Sequence, residues 1–124
     1  MMSTEEIAKG LIELCSKGKF EDAVNKYYAQ DIVSVEPVAM PPMPAESKGI
    51  DAIRGKNQWF EENHDVHTIK IEGPFLGQNQ FAVKFHLDMT PKHTGQRVSM
   101  SEMALYTVKD GKIAREEFYY NAGK

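Results

Sequence analysis

The stretch QFAVKFHLDMT, residues 80–90, decides the fold class. Phe81, Val83, Phe85, Leu87 and Met89 alternate with Lys84, His86 and Asp88, a period of two that puts apolar side chains on one face and polar ones on the other. That is the signature of a half-buried strand. The same period runs outward on both sides. Upstream, VHTIKIEGP (66–74) sets His67, Ile69 and Ile71 against Thr68, Lys70 and Glu72. Downstream, QRVSMSEMALYTV (96–108) and KIAREEFYYN (112–121) read as two more strands. Thr94-Gly95 turns the first of these hairpins, and Asp110-Gly111 is a strong signal for a tight turn in the second.

The N-terminal half has a different period. STEEIAKGLIELCSKG (3–18) opens on a capping box, Ser3 with Glu6, and carries Ile7, Leu11, Leu14 and Cys15 at helical spacing before Gly18 stops it. KFEDAVNKYYAQD (19–31) predicts a second helix, with Glu21 and Asp22 in its first turn and Phe20, Val24 and Tyr27 on one stripe. DIVSVEP (31–37) is a short strand that Pro37 ends, and GIDAIRGKNQWFEENH (49–64) is a third helix with an internal Gly55. Helices first and an antiparallel meander afterwards predict one α+β domain over residues 1–124, three N-terminal helices packed on one face of a strongly curved, mostly antiparallel sheet.

Composition narrows the function classes. A formal charge of −3 and scattered Lys and Arg argue against nucleic acid, which needs a clustered basic surface. No apolar run is long enough for a membrane span, and the polar, acidic start lacks the pattern of a secretion signal. Cys15 is the only cysteine, so no intrachain disulfide can form. A cytoplasmic domain is the expectation.

One loop stands apart. In SVEPVAMPPMPAESKG (34–49), Glu36 is followed by an uncharged run, Pro37 to Ala45, with four prolines and two methionines. Surface loops are normally polar. A stiff apolar flap beside a carboxylate makes sense as the rim of a dry pocket, where dehydration raises the acid's pKa toward a useful range. The other reading makes Glu36 a surface acid at a strand end, with the loop packed on a neighbouring subunit.

Together, YYAQDIVSVEP, GIDAIRGKNQWFEENHDVH, EGPFLGQNQFAVKFHLDMT and GQRVSMSEMALYTVKDGKIAREEFYY resemble the SnoaL-like members of the nuclear transport factor 2-like superfamily and, more distantly, ketosteroid isomerase. The resemblance spans nearly the whole chain. It implies a cone-shaped fold with a cavity at its open end, and a homodimer formed through the outer sheet face. It implies no single activity, because the scaffold hosts isomerases, cyclases, dehydratases and non-enzymes. In the isomerases the general base is an Asp before a Pro at the end of the first strand after helix two; Glu36-Pro37 stands at that place. The isomerase's oxyanion donors do not carry over: their positions fall on Leu11 and on or near Ala104. Glu102 and Tyr106 share Ala104's face and are displaced candidates for that part.

On the last strand, Ala114, Glu116, Phe118 and Tyr120 share one face, and Ile113, Arg115, Glu117 and Tyr119 the other. The first set is assigned inward; a slip by one residue would exchange Glu116 for Glu117. The candidate catalytic set is then Glu36 as base with Glu102, Glu116, Tyr106 and Tyr120. Carboxylates sharing a dry site cannot all stay ionised, so at least one has a raised pKa. The alternative to a functional role is a structural network with a buried Arg, Arg54 or Arg97, which perturbs acids in the same way. Met40, Met43, Trp59, Phe60, His67, Phe81, Val83, Phe85, Ala104 and Phe118 are the candidate ligand-lining residues, with Met89, Met100 and Met103 adding adaptable surface. His67 shares the phase of Ile69 and Ile71 and is assigned inward; His64 is placed as a helix-end cap. The His64/His67 pair straddles a helix-to-strand junction and has no third local ligand, so no metal is expected, and the lack of a Gly-rich phosphate loop implies no nucleotide cofactor. The expected function is binding of a small, largely apolar organic molecule, with cofactor-independent acid–base chemistry of isomerase, cyclase or dehydratase type; the alternative is a non-catalytic ligand-binding or protein-interaction module.

Overall fold

The capping box forms as its residues dictate. In the computed structural model, which describes residues 1–121, the Ser3 hydroxyl accepts from the Glu6 backbone N–H at 3.1 Å and the Glu6 carboxylate accepts from the Ser3 N–H at 2.9 Å. This starts helix α1 (Thr4–Ser16), which is followed by α2 (Phe20–Tyr27) and later by α3 (Ile50–Asn63). The strands are β1 (Tyr28–Val35), β2 (Glu46–Lys48), β3 (His64–Leu76), β4 (Gln80–Pro91), β5 (Val98–Lys109) and β6 (Lys112–Tyr119). They form one curved sheet in the order β2-β1-β6-β5-β4-β3, antiparallel except where β1 runs parallel to β6. Asp110 (φ 52°) and Gly111 (φ 74°) both lie in the left-handed region, as the tight β5–β6 turn requires. No helix of the described residues is long and apolar enough to cross a membrane.

The helices close one face of the sheet. Ile7 and Leu11 of α1, Val24 and Tyr27 of α2 and Ile53 of α3 meet Phe81 and Val83 of β4 and Ala104 and Tyr106 of β5, all nearly or fully buried. Tyr27 lies so close to α1 that a Cβ at Gly10 would fall 1.7 Å from its hydroxyl, so any larger residue there would have to displace the Tyr27 ring.

Two one-residue bulges shift the alternation read from the sequence. On β3, Val66 pairs with Met89 but Thr68 with Asp88, which leaves His67 as the extra residue. Val66 and Ile69 therefore both face inward, and His67 is exposed with Nε2 2.7 Å from the Thr90 hydroxyl. The inward assignment of His67 is corrected accordingly. On β6, Val108 pairs with Ile113 but Thr107 with Arg115. Ile113 is thus fully buried, against its assigned outward face, while Glu116 keeps the inward one. Bulges of this kind bend a strand and change which face its side chains meet.

Candidate functional site

Beyond the packed core the inner face of the sheet and the helices that cover it bound a cavity of about 230 Å³. That is just under the range usual for ligand sites, about 300–1,000 Å³. Its wall is apolar and adaptable: Trp59 and Phe60 of α3, Phe85, Leu87 and Met89 of β4, and Phe118 of β6. The proline-rich loop contributes Val38, Met40, Met43 and Pro44 to the lining. The loop is tied at its base, where the Glu36 N–H donates to the Ala45 carbonyl at 2.7 Å, and at its tip by reciprocal backbone bonds between Met40 and Met43.

All five candidate catalytic residues, Glu36, Glu102, Tyr106, Glu116 and Tyr120, line this one cavity. Period two brings them there from three strand regions: Glu36 follows Ile32 and Ser34 on β1, Glu102 precedes Ala104 and Tyr106 on β5, and Glu116 precedes Phe118 and Tyr120 on β6. Of the candidate lining residues, Met40, Met43, Trp59, Phe60, Phe85 and Phe118 reach the cavity. Phe81, Val83 and Ala104 do not; they are 1% exposed or less, in the core with Ile7 and Leu11. Alternation marks the inner face of a strand but not the point along it where helix packing ends and the cavity begins. Met100 lines the cavity, whereas Met103 faces outward and is exposed.

A hydrogen-bonded chain ties two of the three acids together. Lys56 forms an ion pair with Glu36, whose other oxygen accepts from the Tyr120 hydroxyl at 2.7 Å. The same Lys56 ammonium donates to Ser34 Oγ at 2.8 Å, and Ser34 donates in turn to Glu116 at 2.7 Å. Tyr28 donates to the second oxygen of Glu116. Burial holds the Glu116 carboxyl above its ordinary range, although Lys56, Tyr28 and Ser34 all pull it down. Lys56 is also 4.9 Å from the centre of the Phe118 ring, a cation–π distance.

Glu102 is different. It receives no hydrogen bond or ion pair from any described residue, and neither of its oxygens is sealed off without a partner, so the carboxyl opens onto the cavity. Burial, and then the negative charge of Glu36, push it up to about 7, with Lys56 pulling the other way. Burial likewise raises the Tyr28 and Tyr106 hydroxyls well above their usual range, and pushes the Cys15 thiol, on the same wall, up to about 12, so this cysteine stays an unreactive thiol.

The compensating cation is Lys56, not an arginine. Arg54 pairs with Asn25 and Asp51, and Arg97 with Asp88 on the opposite face. Sequence reading missed Lys56, Ser34 and Tyr28. Two of them carried a signal: Lys56 stands three residues after Ile53 and four before Phe60, on the apolar stripe of α3, and Ser34 shares the phase of Ile32 on β1. A lysine in such a stripe is out of place unless it has a buried partner. His64 stacks on Phe60 at 4.2 Å with Nδ1 2.9 Å from the Phe60 carbonyl, the helix-end position assigned to it.

Known proteins agree with this architecture. The family described as SnoaL-like domain matches residues 2–120. A crystal structure from Mesorhizobium loti, of a protein provisionally named a SnoaL-like polyketide cyclase and also a carbohydrate phosphatase, is 50% identical over 96% of this chain and 100% of that one, with a TM-score of 0.90. Two others share the fold alone. A nuclear transport factor 2-like protein of unknown function from Burkholderia pseudomallei has a TM-score of 0.81 at 12% identity, over 98% of this chain and 92% of its own. A Xanthomonas campestris protein of unknown function with a cystatin-like fold has 0.78 at 15%, over 96% and 91%. None of the proteins with curated descriptions is significantly similar in sequence. The match over residues 2–120 and the cone of helices on a curved sheet make this chain a member of the SnoaL-like family of the nuclear transport factor 2-like superfamily.

Proposed function

We propose that the cavity binds a small, largely apolar carbonyl compound and catalyses a cofactor-independent proton transfer on it, of the isomerase or cyclase type. The observation that carries this reading is Glu102, a carboxyl that opens onto an apolar cavity, has no partner among the described residues and is raised by burial to about 7. A general base works best when its pKa lies near the working pH. Glu36, at the position that the family resemblance marks for the base, is already engaged by Lys56 and Tyr120. In this scheme Glu102 removes a proton next to the carbonyl. The Tyr120 hydroxyl turns from Glu36 to the developing oxyanion, while Lys56 keeps Glu36 compensated. The transfer moves one negative charge from Glu102 to the substrate and adds none to the cavity. The polyketide-cyclase name of the Mesorhizobium loti relative supports chemistry of this class.

The test is deuterium exchange at the α-carbon of 2-tetralone in D₂O, followed by proton NMR. The wild type is expected to accelerate exchange, and Glu102→Gln to lose about 10²–10⁴-fold of that acceleration. Glu36→Gln is expected to lose less. Equal rates in wild type and Glu102→Gln would remove Glu102 from the role of base. No acceleration by the wild type would leave a ligand-binding module.

A further inference from the structure

The cavity's charges say which ligands it can admit. Four carboxyls line it, Glu36, Glu61, Glu102 and Glu116, and among the described residues Lys56 is the only lysine or arginine that does. An ammonium has three N–H groups. Lys56 directs one to Glu36 and one to Ser34, and it lies 4.9 Å from the centre of the Phe118 ring. Its single positive charge is already matched by Glu36. The other side chain able to carry positive charge, His64, has Nδ1 on the Phe60 carbonyl and its ring stacked on Phe60. Three of the hydroxyl donors already serve the acids, Tyr28 and Ser34 donating to Glu116 and Tyr120 to Glu36. The other donors of the lining, on Asn57, Trp59 and Tyr106, are neutral and bring no positive charge. A carboxylate on a ligand would therefore add its charge to a cavity whose acids already outnumber its one lysine. It would meet Glu102, which no described residue pairs with, with no further lysine or arginine to offset it.

We infer that the cavity selects by charge: it takes apolar ligands that are uncharged or positively charged and shuts out their carboxylate counterparts. This narrows the substrate class of the proposed reaction to neutral carbonyl compounds. It rests on the reading of the cavity as a ligand site but not on catalysis, because proton abstraction leaves the cavity's total charge unchanged, whereas a carboxylate ligand adds to it.

Three ligands of one bicyclic body test the rule at pH 8: 2-tetralone, 2-aminotetralin in its ammonium form, and tetralin-2-carboxylate. Binding is read by fluorescence of Trp59, the chain's single tryptophan and part of the cavity wall, and by calorimetry. The carboxylate is expected to bind at least about 30-fold more weakly than the ketone, since like charges brought together in a closed site are strongly disfavoured. The ammonium is expected to bind at least as tightly as the ketone. Glu102→Gln should narrow the ketone-to-carboxylate ratio by about tenfold, and so should lowering the pH from 8 to 6, where Glu102 takes up a proton while the ligand carboxylate stays ionised. A carboxylate that binds within about threefold of the ketone at pH 8 overturns the charge rule alone, as does a ratio indifferent to Glu102→Gln. Binding of none of the three overturns the rule and the ligand-site reading together. The expected order of affinities without any exchange of 2-tetralone protons sustains the rule and sinks only the catalytic proposal.

Discussion

The two faces of the sheet use the same kinds of residue to opposite ends. On the outer face three acids each have their own partner: Asp88 takes both arms of Arg97 at 2.8 and 2.6 Å, Glu72 meets His86, and Glu117 meets Arg115 at 3.0 Å. Those partners hold the Asp88 and Glu72 carboxyls below their ordinary values. On the inner face three acids share one lysine, and the carboxyls of Glu102 and Glu116 are held above theirs. The strands are the same; β4 sends Asp88 out and Leu87 in, and β5 sends Ser101 out and Glu102 in. The difference comes from the number of cations and the access of water. A fold gains little from three acids around one lysine in a dry pocket, so that imbalance is better explained by chemistry than by stability.

The comparison breaks most visibly at Lys56. Its side chain is 14% exposed and that of Glu36 12%, so removing the ammonium strands a carboxylate out of water. Lys56→Met is expected to cost about 3–5 kcal/mol of unfolding free energy at pH 8, the usual penalty for leaving half of a buried ion pair. Denaturant titration measures it. Adding Glu36→Gln to that variant should restore most of the loss, because the stranded charge goes with it. A Lys56→Met variant as stable as wild type would mean that water already reaches Glu36.

Next in size is the response to pH, which should have opposite signs on the two faces. Glu102 is raised from 4.5 to about 7, so the fold holds its proton more tightly than the unfolded chain does. Its stabilising contribution is full below about pH 4.5 and is lost as pH rises to 7. At about 1.4 kcal/mol per unit, that is a loss of about 3 kcal/mol. Glu116, raised as well, loses stability in the same direction. Asp88 and Glu72 are lowered, so their contribution is present above the ordinary carboxylate pKa and is lost as the medium turns acid. Unfolding curves between pH 4.5 and 8 should show wild type weakening toward pH 8 and Glu102→Gln weakening less. Parallel curves for the two would place Glu102 in water.

How far the sequence carries this contrast depends on the length over which a pattern holds. The helical stripe of Ile7 and Leu11, the alternation of Phe81 to Met89 and the Asp110-Gly111 turn are strong local signals, and each forms as read. The inward set of Glu36, Glu102 and Glu116 follows from period two and was legible for that reason. His67 and Ile113 were not, because a bulge inserts one residue and reverses the phase beyond it, with no local mark in either strand. The three-residue β2 is too short and polar to show a period. Lys56 left a signal, a charge in the apolar stripe of α3, that sequence reading missed. That Lys56 pairs with Glu36, so that Glu102 has no partner among the described residues, depends on how α3 lies against β1 and β5, which no local pattern encodes.

The smallest effect is the sharpest control. Arg97 and Asp88 form the best-shaped ion pair of the outer face, two parallel N–H···O contacts, yet Arg97 is largely exposed to solvent. Exposed pairs contribute little, because water and salt already screen them and ordering two long side chains costs entropy. Arg97→Ala is therefore expected to leave the melting temperature unchanged within error, although it removes a better-formed contact than any that Glu102 makes. Melts at two protein concentrations add a second readout. If a second copy of the chain covers the outer face, as family resemblance implies, Arg97→Ala should lower the melting temperature in a concentration-dependent way, because association stabilises by mass action. A loss independent of concentration and as large as that of Lys56→Met would erase the contrast between the faces. The shared lysine would then be ordinary pairing, and the case for chemistry at Glu102 would rest on its position alone.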